Sequence, residues 1–330
     1  MRLEGVLGQE RAQAQLLAES ASGRLAHAYV FVGPIGCGRG ATALALFRAL
    51  NCAEPANAPC GRCASCRKAA AGQHEDLIVL APPNDQASAQ IKVEEVREMI
   101  RVLSFAPYGG GWRLVLIRSA GQMNLSSANA LLKTLEEPPP GNLLVLTVQD
   151  PAELLPTIVS RCRRVNFLPL AEELIAAELT RRGLPPEAAG LRAALSGGSL
   201  GRALDLDQER LSATLGRLLG HLAGADDALA DWALAEELVA PFRGGERLDR
   251  QGIVELLDLL TLYLRDRAAL AAGRPAAAFL PPALVAGPGP DLAQASRGFD
   301  LVRRAQGQIL ANAAPELALT VLLQDLRRAQ

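Results

Sequence analysis

Five short apolar runs in the first 168 residues constrain this chain more than any other feature. They are "HAYVFVG" (His27–Gly33), "DLIVLAP" (Asp76–Pro82), "WRLVLIR" (Trp112–Arg118), "NLLVLTV" (Asn142–Val148) and the weaker "RRVNFL" (Arg163–Leu168). Their apolar residues run continuously rather than alternating, which suits strands buried on both faces of a parallel sheet. Helical periodicity fills the gaps. Val93, Val96, Ile100 and Leu103 share one face. Ala128, Leu131, Leu132 and Leu135 share another over Ser126–Glu136, before Pro138–Pro140 stops it. The pattern predicts an α/β domain with a doubly wound parallel sheet.

After Pro169 the strand signals vanish. Ala171–Gly183 reads as a helix ending on glycine. Leu191–Leu206 reads as two helices around a glycine turn. From about Gln208 onward a longer all-helical region is expected, broken at Arg243–Glu246 and at a Pro/Gly-rich segment, 273–290. The expected division is 1–168, an α/β domain; 169–207, a small helical domain; and 208–330, a helical C-terminal domain.

A chain of 330 residues, 49% hydrophobic and 21% charged, can build such cores and is no candidate for disorder. Its net charge of −1 argues against a protein that holds DNA alone through a basic face. No apolar run is long enough to cross a membrane. The N-terminus is mixed and charged, so no signal peptide is expected and the expected compartment is the cytoplasm. In that reducing setting, clustered cysteines point to metal rather than disulfides.

The first run leads into "GPIGCGRG". Gly33 and Gly38 fall where a phosphate-binding P-loop, G-x-x-x-x-G-K-[ST], needs them, with Gly36 between, and a helix (Ala41–Leu50) is expected to follow. The lysine position holds Arg39, a fork rather than a compact ammonium. The Ser/Thr position holds Gly40, with no hydroxyl for Mg²⁺. The motif alone leaves a degraded P-loop and a plain strand-to-helix turn equally open. A P-loop ATPase also ends a neighbouring strand on an acidic pair, and here "RLVLI" runs into Arg118 and Ser119. Loss at both places favours a disabled site, so productive ATP binding is not expected.

"CAEPANAPCGRCASC" places Cys52, Cys60, Cys63 and Cys66 at spacings that can close a tetrahedral, structural Zn²⁺ site over about 52–66. Free buried thiols or a redox pair are the alternatives. His74 is a conceivable substitute ligand that four cysteines make unnecessary. Cys37, within the glycine-rich turn, has no assigned role. "LLPTIVSRC" ends in Ser160-Arg161-Cys162 just before the last run. Alone, Arg161 reads as an ordinary exposed arginine.

Together, "VLGQE" (Val6–Glu10), the glycine-rich turn, the four cysteines, "IKVEEVREM" (Ile91–Met99), "NALLKTLEEPP" (Asn129–Pro139) and "LLPTIVSRC" resemble bacterial clamp-loader subunits of the AAA+ class. "GGSLGRAL" (Gly197–Leu204) and "NAAPELALTVLLQDL" (Asn312–Leu326) extend the resemblance into the helical regions. It implies an AAA+ P-loop-type domain, a small helical lid and an all-α collar within the DNA polymerase III holoenzyme. Some members of this family hydrolyse ATP, and one type keeps the SRC motif with weak or absent ATPase. Arg39, Gly40, Arg118-Ser119 and Gly201, which stands where active members carry a nucleotide-sensing arginine with Arg202 beside it, side with the second type. Arg161 is then expected to act as an arginine finger on ATP held by an adjacent motor subunit. Expected partners are the motor subunits and the delta subunit, the sliding clamp, and primed DNA met only within the assembly, where Lys133 is one candidate phosphate contact. An ATP-hydrolysing motor subunit and a purely structural scaffold are the rival readings.

Overall fold

A computed structural model of the chain describes residues 1–330 apart from 84–89, 207, 225–226, 245–246, 249, 275–279, 281–291 and 330. The Pro/Gly-rich segment expected at 273–290 thus lies mostly outside the described residues.

Each of the five apolar runs contains a strand: β1 (Ala28–Val32), β2 (Leu77–Leu80), β3 (Arg113–Ile117), β4 (Asn142–Val148) and β5 (Arg163–Asn166). All pair in parallel, in the order β2-β3-β4-β1-β5. Parallel neighbours need crossovers, and helices supply them. After α1 (Glu10–Ala21), which precedes β1, they are α2 (Arg39–Leu50), α3 (Ala64–Ala70), α4 (Val93–Leu103), α5 (Leu125–Glu136) and α6 (Pro156–Val159). The α5 start is fixed by Asn124, whose side chain accepts from Ser127 N at 2.8 Å.

Successive strand residues face opposite ways, so the sheet has two cores. Phe31, Leu114 and Leu143 pack with Leu16 of α1 and Phe47 of α2. Val30, Val115 and Leu144 pack with Val96 of α4 and Leu131 of α5. β1, β3 and β4 are buried throughout, as continuous apolar runs require. The expectation of two buried faces fails at the edges. Val79 of β2 is 43% exposed, and β5 buries only Val165. An edge strand has one neighbour instead of two, so less of it is enclosed.

This sheet and its helices form a compact unit, Met1–Leu174 with Gly198–Gly201. The second unit is Ile175–Gly197 with Arg202–Gln330. Beyond β5 come α7 (Glu172–Arg181), α8 (Pro186–Leu195), α9 (Leu200–Asp205), α10 (Gln208–Leu222), α11 (Ala228–Val239), α12 (Arg250–Ala271), α13 (Leu292–Leu310) and α14 (Pro315–Ala329). In the second unit α12 packs along α13, α11 along α14, and α13 along α14. Their shared core includes Leu257, Leu260, Val302, Ile309, Leu319 and Leu323. Asp231 of α11 is fully buried there. It accepts from His221 Nε2 at 2.6 Å and from Arg327 Nη1 and Nη2 at 3.1 and 2.8 Å, tying α10, α11 and α14 together. Burial pushes its carboxyl up, but these two partners outweigh burial and hold it below the usual aspartate value. Among the described residues, no helix is long and apolar enough to cross a membrane.

Candidate functional site

In a doubly wound sheet, ligands bind beyond the carboxyl ends of the strands. The glycine-rich turn lies there, between β1 and α2. Gly33 N donates to the Val148 carbonyl at the end of β4 (3.1 Å). A Cβ on Gly33 would lie 2.5 Å from the Phe167 carbonyl oxygen, so only glycine fits that close approach. Gly36 has φ +76°, and a Cβ there would lie 1.9 Å from Ser199 Oγ. Ser199 therefore rests directly on the turn, with Gly201 also next to Gly36. Arg202 instead approaches Asp258 of α12, at 4.0 Å. Gln9, from "VLGQE", pins the far side. Its Nε2 donates to the Cys37 and Leu168 carbonyls (3.0 and 2.6 Å), and its Oε1 accepts from Leu168 N (3.1 Å).

The two arginines of this site behave differently. Arg39 is only 8% exposed, and its Nη1 donates to the Val148 carbonyl. Burial lowers its pKa, with Cys37 and Glu153 acting the other way. Its guanidinium serves as an internal brace between the turn and β4. Arg118 is exposed and leans over the turn. A Cβ on Gly40 would lie 3.8 Å from Arg118 Nε and 3.9 Å from Nη2. A cation thus stands beside the position where a P-loop hydroxyl would hold Mg²⁺. Cys37 is completely buried under the turn, and burial raises its thiol pKa.

The four cysteines converge. Cys52 follows α2, Cys63 caps α3 and Cys66 lies in its first turn. Their Sγ atoms all lie within 4.8 Å of one another. Four thiolates about 2.3 Å from one Zn²⁺ would stand roughly 3.8 Å apart, so the set fits a tetrahedral ion after slight contraction. Backbone N–H groups point at the sulfurs: Cys60 N at Cys52 (3.2 Å), Cys63 N at Cys60 (3.4 Å) and Cys66 N at Cys63 (3.4 Å). Such donors favour thiolates. Burial raises the Cys63 thiol, yet N–H groups of Ala53 and Cys66 and the neighbouring thiols outweigh it and bring it down to about 6. His74 is not in the cluster. It packs edge-on against Phe47 (4.9 Å), accepts from Asp76 N through Nδ1 (3.1 Å) and meets Ser65 Oγ through Nε2 (3.1 Å).

Arg161 stands apart from both groups, at the end of α6. Its Nη1 donates to the Thr157 carbonyl at 2.8 Å and its Nη2 to Glu136 Oε1 at 2.6 Å. Ser160 Oγ donates to the same Thr157 carbonyl at 3.1 Å. Cys162 packs into the α4–α5 core, and burial pushes its thiol up to about 12. Lys133 is exposed on α5. Sequence reading missed Gln9, Ser199 and Glu136 as individual partners. Each lies inside a quoted motif, but only the fold shows what it touches.

Residues 8–171 match the family model described as "DNA polymerase III, delta subunit". The chain is 42% identical to DNA polymerase III subunit delta' of Pseudomonas aeruginosa over 178 residues, 53% of each chain. It is 34% identical to DNA polymerase III subunit tau of Escherichia coli over 220 residues, 64% of this chain and 33% of that one. The matched stretch therefore spans about half the length of the first relative and a third of the second. A DNA polymerase III gamma subunit-related protein from Thermotoga maritima superimposes over 96% of this chain and 100% of its own, at 17% identity and a TM-score of 0.45. That likeness is too loose to add to the strand order itself. Through the α/β unit that carries this site, the chain belongs to the DNA polymerase III clamp-loader family.

Proposed function

We propose that this chain is the delta-prime subunit of the DNA polymerase III clamp loader, a subunit that does not itself hydrolyse ATP. The observation that carries this reading is Arg118 leaning over Gly40. Its charge opposes Mg²⁺ at the point where hydroxyl and acid are both missing, and without the metal a productive ATP complex does not form. Arg39 adds to it, since its guanidinium is braced internally. The 42% identity to a delta' subunit supports the same choice over a motor subunit.

In this reading the catalytic contribution faces outward. Arg161 is presented to ATP in an adjacent motor subunit of the tau type, where an arginine supplied in trans stabilises γ-phosphate charge in the transition state. The hydrolysis it assists releases the sliding clamp onto primed DNA in the cytoplasm. The chain then divides into the AAA+ domain (1–168), the lid (169–207) and the collar (208–330), which joins the other subunits. Cys52, Cys60, Cys63 and Cys66 would hold one structural Zn²⁺, with no open position for chemistry. The ion would fix the loop between α2 and α3.

The test is DNA-stimulated ATPase of the reconstituted loader with Arg161→Ala. The expected loss at the affected site is roughly 10³-fold or more. A rate equal to wild type overturns the finger role and favours a scaffold. Tight Mg²⁺-dependent ATP binding by the isolated chain would instead favour a motor subunit.

A further inference from the structure

Arg161 is not a loose surface side chain. Its guanidinium bridges two helix ends: the last residue of α5, Glu136 (2.6 Å), and the carbonyl of Thr157 in α6 (2.8 Å). The backbone at both anchors is held by buried neighbours. Glu136 follows Thr134 and Leu135, which are buried, and Thr157 precedes Ile158, which is fully buried. The cation also lies where the carbonyl end of α5 favours positive charge. Arg161 is 35% exposed and Glu136 51% exposed. Its Nη1 also reaches Ser160 Oγ at 3.4 Å; a guanidinium has five N–H donors, so three bonds leave two for an incoming anion.

We propose that Glu136 is a positioning residue for Arg161, which rests on the finger reading above. An arginine free in solvent must lose rotamer freedom when it meets a phosphate. One already clamped does not, so less ordering remains when the anion arrives. Glu136 supplies that order at a fixed point of α5. Its carboxylate also partly cancels the cation it holds. The oxygen that accepts the hydrogen bond is therefore the useful part, and the negative charge is not. This separates the two effects by substitution. Glu136→Gln keeps an acceptor oxygen and removes the charge, whereas Glu136→Ala removes both.

The experiment compares Glu136→Ala, Glu136→Gln, Arg161→Ala and the Glu136→Ala/Arg161→Ala double variant. Each is reconstituted into the full loader, with assembly checked by gel filtration, and DNA-stimulated kcat and KM for ATP are measured. Glu136→Ala should lower kcat roughly 2- to 10-fold, leaving KM in place. Glu136→Gln should match or exceed wild type. The double variant should be no slower than Arg161→Ala, because the two residues act as one unit. If Arg161→Ala is slow while Glu136→Ala is unchanged or faster, the positioning role is overturned and the finger reading stands. A double variant clearly slower than Arg161→Ala, with Gln failing to rescue, makes Glu136 a structural residue and also overturns the proposal. If Arg161→Ala itself has no effect, the finger reading fails and the positioning role fails with it.

Discussion

Arg118 overhangs Gly40, its Nε 3.8 Å from where a Cβ on that glycine would lie. In a P-loop that hydrolyses ATP, the corresponding region holds a divalent cation between a hydroxyl and an acid. Here both ligands are gone and a guanidinium stands in the same neighbourhood. Any residual attraction for phosphate is then a matter of backbone N–H groups and an organic cation, neither of which needs metal.

The purified chain should therefore show no Mg²⁺-dependent ATP binding. Calorimetric titrations with Mg²⁺ and with a chelator should give the same weak or undetectable affinity. Reversal requires metal chemistry at several positions. Gly40→Thr alone should change nothing, since the Arg118 charge remains beside the new hydroxyl. Combining Arg39→Lys, Gly40→Thr and Arg118→Asp should introduce a Mg²⁺ dependence.

The cysteine cluster should carry about one equivalent of zinc by elemental analysis. Cys66→Ser should lose it, because its Sγ is one of four held within 4.8 Å of one another. A strong chelator should lower the melting temperature of the native chain and leave that of Cys66→Ser unmoved. Metal binding to a folded site adds directly to stability. A metal-free native chain with the same melting temperature would refute the site.

Asp231 should contribute to the acid sensitivity of the helical unit. Its folded carboxyl titrates below the ordinary aspartate value of 3.8, despite burial, because Arg327 and His221 favour the charged form. A depressed carboxyl contributes stability that is fully present above its unfolded value. That stability is lost as pH falls from there through the lower folded one. Asp231→Asn leaves Arg327 with its guanidinium deprived of a buried carboxylate and should cost about 3–5 kcal/mol. Denaturant melts at neutral pH would read this directly. The difference between variant and wild type should shrink in strong acid.

Gly36→Ala should destabilise the α/β unit. It adds a methyl 1.9 Å from Ser199 Oγ, at a backbone φ of +76°. The strain and overlap together should cost about 1–3 kcal/mol in denaturant midpoint experiments. Adding Ser199→Ala should recover the part due to overlap and not the part due to φ. Full recovery would show that backbone conformation contributes nothing there.

Much of the molecule is legible in one dimension because its signals are local. A run such as "NLLVLTV" has no polar face to turn to water, so it reads as a buried strand without knowledge of its neighbours. The helix stop at Pro138 and the thiol spacing from Cys60 to Cys66 are likewise properties of adjacent residues. The missing hydroxyl at Gly40 and the missing acid at Arg118 need only the identity of one side chain each.

What the chain order could not determine is where a long side chain goes. Arg39 and Arg118 are both arginines near one turn, yet one is buried as a brace to Val148 and the other reaches over Gly40. Sheet order decides this, because β4 lies beside β1 and brings its terminal carbonyl within reach of Arg39. Edge position decides why β2 leaves Val79 exposed despite its apolar run. The partnership of Arg161 with Glu136, 25 residues earlier, exists only because α5 and α6 end side by side. Periodicity assigns a residue to an element and a face. Its partners are set by the packing of elements distant in sequence, which only the tertiary structure decided.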